Sequence, residues 1–99
     1  MHAVPSITQA EVITELDPGR LVAELDAGRL VIASVHPEIR RPQHDPPGTG
    51  GHLVLVTGTA NGAVTFHNPS GHTPDTVVAT LPLPVFDRFA ARRGIALQL

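Results

Sequence analysis

The rhythm of apolar and polar positions changes along the chain. "LVIASVH", residues 30–36, is apolar almost without a break. A strand of that kind suits a place in a sheet covered on both faces. "HLVLVTGTANGAVTFHN", residues 52–68, holds two apolar-rich runs on either side of Asn61-Gly62, and reads as a β-hairpin. Upstream, Leu21, Val22 and Leu25 recur at helical spacing behind Asp17-Pro18, an N-cap followed by a proline at the first helical position. Gly28 stands where that helix would stop. Thr8-Gln9-Ala10-Glu11 has the form of a capping box, and Val12, Ile13 and Leu16 follow as one stripe, so the pattern predicts a further short helix over 8–16. "TVVAT", residues 76–80, predicts another strand. Val85, Phe86, Phe89 and Ala90 predict a helix over 84–93 closed by Gly94, and "IALQL" predicts a last strand. Four prolines and three glycines in residues 37–51 predict a long irregular loop. The order helix, helix, strand, hairpin, strand, helix, strand implies one α+β domain over residues 1–99, with a mostly antiparallel sheet and short helices.

The hairpin register decides what chemistry the strands can carry. A three-residue loop, Ala60-Asn61-Gly62, sets Thr59 opposite Ala63, Val56 opposite Phe66 and Val54 opposite Asn68. His52 and Asn68 then share a face and an end. A two-residue loop would put them on opposite faces instead, because a one-residue slip inverts every side chain. On one face, the Asn68 side chain can fix the tautomer and orientation of the His52 ring, which is what a general base requires. Gly50 and Gly51 just before His52 would leave room for a substrate backbone. A thiol or hydroxyl nucleophile would complete the set. The plainer alternative is a solvated histidine at a strand start and an ordinary Asn-Pro turn.

Composition narrows the chemistry. The 99 residues carry a net charge of −2 and three phenylalanines as their only aromatic rings besides histidine, which argues against nucleic-acid binding. Absence of cysteine excludes disulfides, thiolate metal sites and a sulfur nucleophile from this chain. No apolar run reaches the ~20 residues of a membrane helix, and residues 1–12 lack the features of a secretory signal, so the expected compartment is the cytoplasm. Six histidines invite a metal reading, but no HExxH and no close helical pair occurs, and no metal or other cofactor is expected. "GTGG", residues 48–51, precedes a strand rather than the helix a phosphate loop needs. Ser34 and Ser70 are the hydroxyls nearest the histidine in sequence logic; Ser70 falls on the His52 side in the register above. Arg40-Arg41 forms a small cationic patch able to meet an acidic peptide.

The runs "ELDAGRLVIASVHPE", "GGHLVLVTG", "NGAVTFHNPSG" and "LPVFDRF" together resemble the C-terminal part of the papain-like cysteine peptidases that process bacteriocin leaders, family thirty-nine of the cysteine peptidases. The resemblance spans about residues 5–97. It implies a partial papain-like fold in which His52 is the general base and Asn68 the residue that orients it. Gly50, Gly51 and Ser70 become candidates for contact with a peptide. The family's cysteine and its preceding glutamine have no counterpart here, Thr59 stands where an aromatic residue often follows Thr-Gly, and Asn68 replaces the commoner aspartate. The resemblance therefore implies the histidine half of a peptidase, with the cysteine supplied by another chain or segment, or an inactive peptide-binding relative, or a scaffold turned to acyl transfer or cyclisation. A fold lacking its cysteine helix would bare Val54, Val56, Val64 and Phe66, which predicts a homodimer or a complementing cysteine-bearing partner over that groove.

Overall fold

The computed structural model describes residues 7–68 and 78–99. Six strands form one antiparallel sheet: β1 (Gln9–Ile13), β2 (Leu30–Val35), β3 (His52–Ala60), β4 (Ala63–His67), β5 (Val78–Pro82) and β6 (Ala90–Gln98), in the spatial order β1-β6-β2-β3-β4-β5. Among the described residues the sheet is joined by two helices, α1 (Pro18–Asp26) and α2 (Leu83–Phe89), and a 3₁₀ turn (Pro37–Arg40). The α+β class and the antiparallel sheet are as the pattern implies.

The core lies on one side of this sheet. Val31, Ala33 and Val35 of β2, Val54 and Val56 of β3, and Val64 and Phe66 of β4 point into it. Leu21 of α1, Ile39 of the 3₁₀ turn and Phe86 and Phe89 of α2 close it from above. The Phe66 and Phe86 rings tilt against each other at 5.4 Å, a separation favourable for an aromatic pair. α1 starts as its sequence dictates: the Asp17 carboxylate accepts from Arg20 N at 2.8 Å, Pro18 takes the first turn, and Gly28 adopts φ +84° just past the end. Its buried Glu24 bonds to Arg29 at 2.9 Å and Arg20 at 3.3 Å, and Arg20 reaches Glu11 on β1 at 3.2 Å.

Two expectations fail, each for a definable reason. Residues 9–13 form an edge strand rather than a helix. Thr8 does not cap: its N–H and hydroxyl both donate to the Gln98 carbonyl, at 2.7 and 3.2 Å. A short isolated helix is marginal, whereas pairing with β6 gives the segment a ladder from Gln9 to Ile13. The last helix ends at Phe89, and Gly94 is a ladder residue opposite Ala33 rather than a helix stop. A Cβ on Gly94 would lie 2.2 Å from the Ile32 carbonyl oxygen, so close strand approach accounts for this glycine. Between Ala90 and Gly94 the β6 chain bulges around Ser34, and Arg92 takes φ +57° there, held by two bonds to Asp87. The expected strand over 76–80 is present as far as it is described: β5 covers Val78–Pro82, and residues 76 and 77 lie outside the described residues.

Candidate functional site

The hairpin turn has two residues rather than three. Ala60 pairs with Ala63 across Asn61 (φ 55°) and Gly62 (φ 77°), the double left-handed geometry that Asn-Gly favours. Turn geometry alone would put His52 and Asn68 on opposite faces. A bulge reverses that outcome: Gly58 pairs with Thr65 but Val56 pairs with Phe66, so Thr57 is the extra residue. The Thr57 hydroxyl donates to Thr65 O at 3.3 Å at this point. From Val56 toward His52 the register is the one inferred from sequence, reached by a different route.

His52 opens β3 opposite Val35, and Asn68 lies one residue beyond the Leu55–His67 pair. Their side chains meet, with His52 Nε2 and Asn68 Oδ1 2.8 Å apart. A carboxamide oxygen only accepts, so Nε2 carries the hydrogen and the neutral ring keeps its lone pair on Nδ1. Nδ1 has no hydrogen-bond partner among the described residues. Asn68 is 2% exposed while His52 is half-buried, so the amide is fixed in the protein and the ring reaches toward solvent. The pair thus holds an imidazole in one orientation through a buried amide.

The irregular loop after β2 has both ends tied to one acceptor. His36 N and Gly50 N both donate to Phe89 O, at 2.8 and 3.4 Å. Arg88 of α2 holds the loop's middle through Asp45 and the Pro42 carbonyl. Between this loop and β4–β5 lies a cavity of about 170 Å³, with Ile39, Pro42, Phe66, Ala79 and Leu81 as its apolar walls and Asn68 and Arg40 as its polar groups. The 3₁₀ turn that builds one wall was hidden in a proline-rich stretch; only His36-Pro37-Glu38 hints at it, with His36 Nδ1 accepting from Glu38 N at 3.0 Å. A second cavity, about 250 Å³ between Val22, the hairpin turn and Leu83, holds no titratable side chain.

Other sequence candidates fall elsewhere. Gly50 is buried at φ +80°, and a Cβ there would meet Ala91 Cβ at 3.1 Å and Ser34 Oγ at 3.2 Å. Its bareness serves the protein's own packing and leaves no room for a substrate backbone. Gly51, at φ +94°, is exposed with open space around it. Ser70 and His72 lie outside the described residues. Ser34 pairs with Leu53 and therefore faces away from His52. Among the described residues no three histidines and carboxylates gather as a metal site, and no helix is long and apolar enough to cross a membrane. The expected bare groove is absent: Val54, Val56, Val64 and Phe66 are at most 1% exposed. The chain's own helices and 3₁₀ turn fill that space, leaving Phe66 beside one cavity and Val64 beside the other.

No protein-family model, no curated protein and no solved structure matches the chain.

Proposed function

We propose that this domain is the histidine-bearing part of a papain-like peptidase-type site, with His52 as general base and Asn68 as its positioning residue. The observation that carries the reading is the 2.8 Å bond from Nε2 to a buried carboxamide oxygen, which leaves Nδ1 as the basic nitrogen. A thiol brought to Nδ1 by another segment or chain would pass its proton there. The resulting thiolate would attack a peptide carbonyl, and the imidazolium would return the proton to the leaving amine. The sequence contains no cysteine, so these 99 residues by themselves leave a peptide substrate uncut, with or without a thiol-alkylating reagent.

A second reading has its own observation. The cavity beside Asn68 offers an apolar recess with the exposed Arg40 on its wall, which suits a binding module for an apolar side chain next to an acidic group. The two readings separate on His52, because a binding module keeps its ligand affinity in His52→Ala.

Acyl transfer from p-nitrophenyl acetate to 2-mercaptoethanol tests the first reading, since the small thiol stands in for the missing sulfur. The wild-type protein is expected to accelerate the transfer, His52→Ala to abolish the acceleration, and Asn68→Ala to lower it. Nitrogen-15 spectra of the histidine rings should show the neutral form of His52 carrying its hydrogen on Nε2, with that preference lost in Asn68→Ala. Equal rates for wild type and His52→Ala, or a ring protonated on Nδ1, would falsify the base assignment.

A further inference from the structure

The sheet has a second face that carries neither helix. One row of directly paired residues crosses all six strands there: Val12, Ile95, Ile32, Leu55, His67 and Val78, in spatial order from β1 to β5. Five of the six are aliphatic. Leu30 and Leu97 pair beside the row on one side, and Leu53 stands beside it on the other. No carboxylate or guanidinium occupies any of these positions. Val12 is 73% exposed, Leu53 57% and Val78 44%. Soluble monomers seldom show a continuous apolar surface of this extent, and where one occurs it marks an interaction site.

We infer that this face is covered by the same face of a second copy, giving a two-fold symmetric sandwich of sheets. Area supports a whole sheet as the occupant. Six strands at ~4.8 Å spacing and ~3.3 Å per residue give a face on the order of 600 Å². Two copies would bury ~1,200 Å² in all, the lower end of stable specific interfaces. Chemistry supports a second copy. The named aliphatic positions carry no charge with which to select an oppositely charged partner, and aliphatic rows of similar size interdigitate when two sheets stack ~10 Å apart. A two-fold axis between the sheets lays the same patch on itself, the commonest way a chain closes an assembly. β2 and the first half of β3 then become buried on both sides, in keeping with their nearly unbroken apolar sequences. His52 points to the other face, so the association is independent of the dyad and leaves it open.

Sedimentation equilibrium of the full chain across a concentration series tests this. The wild type is expected to dimerise, and Leu53→Asp to weaken association by at least ~30-fold, the loss expected for a central interface contact. Val12→Asp, on the edge strand, is the second variant should Leu53→Asp fold poorly; circular dichroism and Tm report folding for each. His52→Ala should dimerise as the wild type does. A wild type that stays monomeric at 100-micromolar order, or a dimer indifferent to both aspartates, overturns the inference. So does a monomer that binds phosphatidylcholine vesicles through this face, since lipid would then be the occupant.

Discussion

The two faces of the sheet are made from similar residues and differ in what lies over them. The inner face presents Val31, Val54, Val56, Val64 and Phe66, all at most 1% exposed beneath α1, α2 and the 3₁₀ turn. The outer face presents Ile32, Leu53, Leu55, Ile95 and Val12, and neither α1 nor α2 lies over them. Burial of an aliphatic side chain stabilises by ~1.5–3 kcal/mol. The inner face collects that within one chain, whereas on the outer face Ile32, Leu55 and Ile95 stay half-buried and Val12 and Leu53 exposed. Strand sequence alone records that a residue is apolar and on which side it alternates. The identity of the cover is written elsewhere, in the caps and stripes of α1 and α2.

Substitutions on each face sharpen the contrast. The largest effect is expected from Phe66→Ala, which removes the partner of Phe86 and merges new space with the cavity beside Asn68. A loss of ~3–5 kcal/mol in urea unfolding should follow. Gly94→Ala attacks the junction of β2 and β6 on which both faces depend. The added Cβ meets backbone rather than a movable side chain, and a loss of ~3 kcal/mol is expected by the same method. Glu24→Gln loosens the clamp of Arg20 and Arg29 that holds α1 over the inner face. It should cost ~2 kcal/mol, the scale of hydrogen bonds to a charged group, visible as a lowered Tm. Leu53→Thr on the outer face should change monomer stability by less than ~0.5 kcal/mol when measured at low protein concentration. A loss as large as that of Phe66→Ala would mean that the chain covers its own outer face and would erase the distinction.

Much of the site was legible in the sequence, and the unreadable parts have a common cause. α1, β2 and the hairpin follow from Asp17-Pro18, from the unbroken run at 30–36 and from Asn61-Gly62, where local chemistry and tertiary structure agree. β1 carries a helix's local signals because Thr8 and Glu11 make a good cap, while the decisive partner, Gln98, lies 90 residues away along the chain. α2 was read as too long because Gly94 looks the same as a helix stop and as a strand-crossing glycine. The His52–Asn68 pairing was reached through a three-residue turn that does not exist; two features missed together, the shorter turn and the Thr57 bulge, cancelled. Gly50 was given to substrate because sequence cannot show that Ser34 and Ala91 already crowd it. The cavity beside Asn68 depends on Arg88 gripping the loop at Asp45 and Pro42, contacts between segments more than 40 residues apart.

The Thr57 bulge makes the hairpin a device of parity. The extra residue moves the register of the two-residue turn back by one, and this lets imidazole and carboxamide meet on one face. Deleting Thr57 would close the bulge and leave Val56 opposite Phe66 in an unbroken ladder, with Val54 and Val56 still inward. Forcing Thr57 into the ladder instead would turn the His52 end of β3 over relative to Asn68. The bulge, more than the turn, therefore sets which way the ring points.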